Sequence, residues 1–311
     1  IAAITPLLLY LKFYWVGTTW KYWNGLSWTS ALSTDFNTAL VVNTNIATFA
    51  TTTNQILWKA FLESNGSQQV ILDNITIDYT ENVLPTITNV SSSQQTSNGA
   101  VRIDYALVDT ESDPSSLSAY EYSLDGMSWF TMTASTTDAG HSGVSGLSSS
   151  PAGTSHAFVW DGRVNVGTVY DATTYVRLQA NDGIGSGAYT TSSAFAIDYV
   201  MPVVSNVSSS QALGSTNVQI TYDLSDDTAD NHFVELAVSS DGGSSWTVPV
   251  ATVSGAVGSG VTTGVSKTIT WNAGTDYPSQ QQSAMRVRVR ARDTYRNQAD
   301  YVTSTVNFTL D

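Results

Sequence analysis

Carboxylates are the side chains in this sequence whose type and spacing could do chemistry. Asp109, Glu111 and Asp113 stand together in one stretch, and Asp226, Asp227 and Asp230 stand together in a later one. Asp182 and Asp293 follow at matching places after a further strand in each stretch. If the two loops meet at one pole of a domain, four carboxylates share a pocket and repel one another unless their oxygens coordinate a hard cation such as Ca2+. The plainer alternative is an acidic, solvated loop in which short Asp side chains cap turns. Catalysis finds little to work with. His141, His156 and His232 are the only histidines and form no His-x-x-x-His pair, and neither a Gly-x-Ser-x-Gly elbow nor a phosphate-cradling Gly-x-x-x-x-Gly-Lys loop occurs. The five Glu are dispersed, so nothing singles out a pair of acids for glycoside hydrolysis. With no cysteine, thiol chemistry and disulfides are both excluded. These residues point to a non-catalytic protein with Ca2+ as its one candidate cofactor.

Three other groups are candidates for binding. Aromatic residues crowd the first eighty positions, and Trp23 and Trp28 among them offer ring faces that stack on sugars, although core packing competes for such residues. Arg286, Arg288, Arg290 and Arg292 alternate with Val287, Val289 and Ala291, which places four of the twelve basic side chains on one face of a strand. That stripe is either a docking surface for the acidic face of another copy or a set of cross-strand partners within its own sheet. Ile4, Leu7, Leu9 and Leu11 belong to an apolar opening stretch that Pro6 and Lys12 interrupt. It is shorter than the ~20 residues a membrane helix needs, so it reads as a strand and not as a membrane insertion. Residues 1–80 are also fewer than a full domain of the kind that follows. Either strands lie upstream, or the opening strand completes the sheet of another copy and builds a homopolymer.

The elements that must position these residues are set by a repeat. Asn89-Val-Ser-Ser-Ser-Gln94 recurs as Asn206-Val-Ser-Ser-Ser-Gln211, an offset of 117. The same offset carries Pro85 onto Pro202, Val101 onto Val218, Tyr105 onto Tyr222, Asp109 onto Asp226 and Trp129 onto Trp246. An offset of 111 then carries Trp160 onto Trp271, Arg177 onto Arg288 and Asp182 onto Asp293. The six-residue difference falls in Gly-, Ser- and Thr-rich sequence, where loops absorb length changes. Within each copy the apolar residues alternate, Val101, Ile103, Tyr105 and Leu107 in one and Val218, Ile220, Tyr222 and Leu224 in the other, which is the period of a half-buried strand. No helical period of useful length is present. Similar closing strands at Ile75–Tyr79, Phe195–Tyr199 and Phe308–Asp311 mark three module ends. The fold class is therefore all-β: three tandem antiparallel β-sandwich modules over residues 1–80, 81–200 and 201–311.

About seven short strands per copy, together with Ser239-Ser-Asp-Gly-Gly-Ser-Ser-Trp246, Lys267-Thr-Ile-Thr-Trp271 and Arg286-Val-Arg-Val-Arg-Ala-Arg-Asp293, resemble the tandem fibronectin type III or immunoglobulin-like repeats of secreted bacterial or archaeal surface proteins. The resemblance covers residues 85–311. It implies architecture and an extracellular, cell-surface location, and carries no catalytic motif.

Composition agrees with that reading. The chain has 82 Ser and Thr among 311 residues and few of the good helix formers Glu, Lys and Met, which favours strands. A net charge of −14 repels nucleic acid and anionic lipid, so neither is an expected partner. The chain opens at Ile1, consistent with a processed or partial precursor. The expected function is a structural or adhesive surface or filament subunit that self-associates; the alternative is a carbohydrate-binding accessory region of a larger secreted protein, with glycans as its partners.

Overall fold

In the computed structural model the described residues are 9–14, 20–49, 57–62, 66, 81–136, 138 and 140–311. They belong to two compact units, Ile1–Glu81 and Asn82–Asp311. Among the described residues no helix is long and apolar enough to cross a membrane. The chain is all-β, built of antiparallel sheets.

The first unit contains β1 (Leu9–Tyr14), β2 (Trp20–Trp23), β3 (Trp28–Ser30), β4 (Asn37–Thr38), α1 (Ala39–Asn45), a 3-10 turn at Ile46–Thr48, and β5 (Leu57–Leu62). Strand β1 is internal to the sheet, since Tyr14 stands opposite both Trp20 of β2 and Leu57 of β5. Leu9 and Leu11 lie in this strand, opposite Leu62 and Ala60, while Ile4 and Leu7 lie outside the described residues. Both edges of β1 are thus occupied by strands of its own chain, and exchange between copies would first have to open both pairings. Helix α1 was not foreseen. The Thr38 hydroxyl caps it by accepting from the Val41 amide at 3.4 Å, and its Val42 is buried beside Phe49 with Trp28, Ile46 and Ala60 around them. The described strands of this unit form one five-stranded sheet, and the closing strand expected at Ile75–Tyr79 lies outside the described residues.

The second unit holds both repeats. Repeat 1 runs β6 (Thr86–Gln94), β7 (Val101–Val108), β8 (Ser116–Ser123), β9 (Phe130–Thr131), β10 (Thr154–Trp160), α2 (Gly162–Val166), β11 (Tyr170–Asn181), β12 (Thr190–Thr191) and β13 (Phe195–Asp198). One sheet has the order β10-β7-β6; the other has the order β12-β11-β8-β9, with β13 also on β11. Repeat 2 runs β14 (Val203–Gln211), β15 (Asn217–Ser225), β16 (His232–Ser239), β17 (Val253–Gly255), β18 (Gly258–Val261), β19 (Gly264–Asn272), α3 (Ala273–Asp276), β20 (Gln282–Arg292), β21 (Val302–Thr303) and β22 (Phe308–Leu310). Its sheets are β14-β15-β19-β17 and β18-β16-β20-β21, with β22 also on β20. Pro85 and Pro202 directly precede β6 and β14, where a missing N–H costs no ladder bond.

Each repeat has its own apolar core between its sheets. Val101, Ile103, Tyr105, Leu107 and Trp160 face Val176, Leu178 and Ala180 in the first; Val218, Ile220, Tyr222, Leu224 and Trp271 face Val287, Val289 and Ala291 in the second. Trp160 and Trp271 are both fully buried, and burial obliges each indole N–H to find an acceptor. The short helix after the strand supplies it: Asn165 Oδ1 at 2.8 Å in repeat 1 and Asp276 Oδ2 at 3.0 Å in repeat 2. The shared Asn-Val-Ser motif is a bulge, with Asn89 and Asn206 at φ of 54° and 53° where the register of β6 on β7 and of β14 on β15 shifts.

Truncating Trp271 to Ala leaves an indole-sized cavity and removes one of three donors to Asp276 Oδ2, which keeps the Ala251 and Thr252 amides. The expected cost is about 3–5 kcal/mol, read as an earlier midpoint in urea unfolding; a loss under about 1 kcal/mol would place the core of repeat 2 elsewhere.

Candidate metal centre at the junction of the repeats

The loop between β15 and β16 carries Asp226, Asp227 and Asp230, and β16 begins at His232. Pairing of β16 with β18 sets His232 opposite Val261, and the imidazole Nδ1 lies 3.2 Å from the Val261 carbonyl oxygen. A carbonyl only accepts, so Nδ1 carries the hydrogen. The other nitrogen, Nε2, faces two carboxylates, Asp226 Oδ2 at 2.7 Å and Asp230 Oδ1 at 3.6 Å. The His232 and Asp226 side chains are wholly buried. Backbone amides hold the remaining oxygens: Asp227 N donates to Asp226 Oδ1 at 2.9 Å, and Thr294 N, from the turn after β20, donates to Asp230 Oδ2 at 3.1 Å. Among the described residues, Asp226, Asp230 and His232 are the one group of three metal-type ligands whose atoms all lie within 4.8 Å of one another. An imidazole nitrogen in that set suits a late first-row dication better than Ca2+, which takes oxygen ligands.

This cluster sits where repeat 1 meets repeat 2. Asp198, the last residue of β13, is fixed by Gln94, whose carboxamide donates to the Asp198 carbonyl at 2.8 Å and accepts from its amide at 2.7 Å. Asn297 of repeat 2 donates its side-chain amide both to that same carbonyl, at 2.9 Å, and to Asp293 Oδ2. Arg163 of repeat 1 donates to Asn297 Oδ1, and Arg296 donates to the Thr96 carbonyl at 3.3 Å. The backbones approach closely as well. Gly99 sits at φ +75°, and a Cβ there would come within 3.0 Å of the Tyr295 carbonyl.

Burial, reinforced by Asp227 and Asp293, pushes the Asp198 carboxyl up to about 6. Burial, opposed by the Asn297 hydrogen bonds and reinforced by Asp230 and Asp226, likewise pushes Asp293 up to about 6. Asp226 is raised by burial too. The junction thus holds several carboxylates that resist ionising together.

The acids of repeat 1 serve differently. Asp109 Oδ1 accepts from the Glu111 and Asp113 amides at 2.9 and 3.2 Å, closing a turn, while its Oδ2 is buried without a partner. Glu111 accepts from the Val83 amide at 3.3 Å. Asp182 accepts from the Ile184 and Gly185 amides at 2.8 Å and from Asn82 Nδ2 at 2.9 Å. Asp109, Glu111 and Asp182 are therefore turn and linker caps, Asp113 joins the same turn through its backbone, and among the described residues these four do not gather as Asp226 and Asp230 do with His232. Asp227 and Asp293 border the close group without entering it. Sequence reasoning passed over His232, Asp198 and Asn297. The spacing Asp226-x-x-x-Asp230-x-His232 was the available signal for the first; Asn297 has Ser186 at the matching offset and gave none.

The arginine stripe is engaged within its own sheet. Arg288 lies between the Trp246 and Tyr301 rings, 4.4 and 4.0 Å from their centroids, and Arg292 lies over Phe233 at 4.6 Å. Arg290 pairs with Glu235 and stacks on Tyr301, and Arg286 donates to the Thr305 carbonyl at 2.8 Å. Repeat 1 has the same arrangement at one position, with Arg177 between Trp129 and Tyr189 and paired with Glu121. In the first unit, Trp23 and Trp28 face each other across the β2–β3 hairpin at 5.8 Å, and with Lys21, Leu26 and Phe49 they line a cavity of about 440 Å3. Trp28 also packs edge-on against Phe49 at 4.9 Å, so one side of it belongs to the small core.

No protein-family model matches the chain, and no curated protein matches it in sequence.

The raised acids fix the sign of a pH effect. Asp198 and Asp293 bind protons more readily folded than unfolded, so their contribution is complete below about pH 4 and is lost as pH rises through about 6. With chelator present, the gain in thermal midpoint from pH 7.5 to pH 5 is expected to be larger in the parent chain than in Asp198→Asn, since His141, held low by burial, opposes the gain equally in both; an equal gain would contradict the burial of the Asp198 carboxyl.

Proposed function

We propose that this chain is a non-catalytic structural or adhesive segment of an extracellular protein, a cell-surface or filament subunit, and that its two repeats are of the fibronectin type III or immunoglobulin-like kind. Support for the second part is topological. In repeat 1 the first, second and fifth strands, β6, β7 and β10, form one sheet, and β8, β9, β11, β12 and β13 form the other. This division of eight strands resembles that of a Greek-key sandwich, and repeat 2 divides in a similar way with β17 and β18 added.

The observation that carries the reading is the junction. Tandem modules joined by a free linker behave as independent beads, and their relative motion is the default. Here Gln94, Asp198, Asn297 and Arg163 tie the repeats through buried hydrogen bonds into one compact unit. A locked pair of sandwiches transmits force and holds reach, which is the task of a spacer in a surface array or fibre. Self-association into a homopolymer belongs to the same proposal; for the segment around Leu9 and Leu11 to act as the exchanging strand, its pairings with β2, β4 and β5 must first open. On intact cells of the source, antibody against the chain is expected to label the surface, and external protease is expected to remove the label. Label that appears only after lysis would end the extracellular reading.

A second reading rests on the cavity that Trp23 and Trp28 line. Two half-exposed indoles in edge-to-face contact at 5.8 Å, with Lys21 also in the lining, offer apolar ring surface and a donor to a sugar ring. Glycan-array binding that Trp23→Ala abolishes would favour an accessory carbohydrate-binding role, and an array without hits would remove it.

A further inference from the structure

We infer that Asp226, Asp230 and His232 form a binding site for a late first-row transition dication of the Zn2+ type, placed at the repeat junction. This goes beyond the structural role and does not depend on it. The argument begins with a count of hydrogens. With Nδ1–H committed to the Val261 carbonyl, Nε2 presents a lone pair to Asp226 Oδ2 at 2.7 Å and Asp230 Oδ1 at 3.6 Å unless a proton or a cation lies between them. The Thr228 hydroxyl has one hydrogen and faces two carboxylates, Asp230 Oδ1 at 3.0 Å and Asp198 Oδ2 at 3.3 Å. The centre is short of positive charge at two adjacent points, and one dication answers the larger deficit.

The surroundings are those of a metal ligand set. A ligating imidazole ordinarily donates its other N–H to a carbonyl or carboxylate, which fixes the tautomer and aims the free nitrogen; Val261 does this here. The oxygens of Asp226 and Asp230 that point away from His232 are pinned by the Asp227 and Thr294 amides, so both carboxylates are oriented before any ion arrives. His232 Nε2 lies 2.7 and 3.6 Å from the two carboxylate oxygens, and these separations bracket the roughly 3.3 Å between ligand atoms held about 2.0–2.1 Å from one tetrahedral ion. A cavity of about 260 Å3, lined by Asn231, His232, Asp293 and Thr294 among others, lies beside the site at His232, though Asp226 and Asp230 are not part of its lining. Arg292 and Arg296 also line it, but one is stacked on Phe233 and the other is bound to the Thr96 carbonyl. Asp198, Asp227 and Asp293 keep the local balance negative.

The test uses the full, untagged chain stripped with chelator and then dialysed. Calorimetric titration with Zn2+ is expected to show one equivalent bound per chain and a raised thermal midpoint, Co2+ to give a visible ligand-field band that Zn2+ displaces, and Ca2+ at the same concentration to do neither. Asp230→Asn, whose side chain is the most exposed of the three, is expected to weaken Zn2+ binding at least about tenfold, as is His232→Gln, with circular dichroism confirming that each variant is folded. His156→Gln, whose imidazole is held by the Ser148 carbonyl in repeat 1, is expected to bind as the parent does. The parent titration decides even if His232→Gln fails to fold. The assignment is overturned if Zn2+ and Co2+ leave heat, spectrum and midpoint unchanged, if Ca2+ binds in their place, or if Asp230→Asn binds as tightly as the parent.

Discussion

One side-chain amide holds the second unit together: the Nδ2 group of Asn297 donates to the Asp198 carbonyl of repeat 1 and to the Asp293 carboxylate of repeat 2. Both acceptors are buried, and a buried acceptor without a donor costs about 1–3 kcal/mol. Asn297 spans two modules and leaves none of its own polar atoms idle, because Arg163 donates to its oxygen. A network of this kind tolerates one arrangement and penalises its neighbours, which turns contact between two sandwiches into a defined angle between them. In the acidic loop that follows β15 the Asp226 side chain is buried against His232 and Asp230 is largely covered, while Asp227 stays exposed. The Thr228 hydroxyl of the same loop donates to Asp198 Oδ2 at 3.3 Å, which joins the loop to repeat 1.

Elsewhere the repeats are copies of one solution to one packing problem. Each buries a tryptophan from the strand before a short helix and satisfies its indole from that helix. Each also stacks an arginine of the long strand, Arg177 or Arg288, between a tryptophan and a tyrosine on the outer face of its sheet. Repeat 2 extends that face with Arg290 and Arg292, over Tyr301 and Phe233. A guanidinium sandwiched by rings stiffens the exposed face as the core stiffens the buried one.

The sequence exposed whatever is periodic. Alternation at Val101–Leu107 and Val218–Leu224 placed β7 and β15 and their inward faces, and the prolines at 85 and 202 marked where β6 and β14 begin. It could not expose what depends on two distant loops meeting. Acid-rich loops looked alike in the two repeats, yet Asp109 folds back on its own turn while Asp226 faces an imidazole, and the difference lies in His232 and its register with Val261. Helix α1 escaped because seven residues with a single buried Val42 carry too little period to register. Strand β1 read correctly as a strand, but its place inside a sheet follows from pairings with β2, β4 and β5 that no local pattern encodes.

Rigidity of the junction is the claim most open to direct measurement. The chain has no cysteine, so spin labels can be attached at Met127→Cys in repeat 1 and Leu213→Cys in repeat 2, both strongly exposed positions. Double electron–electron resonance on the folded chain should return a single narrow distance distribution that Asn297→Ala broadens. A broad distribution in the parent chain, or one that Asn297→Ala leaves unchanged, would contradict the account.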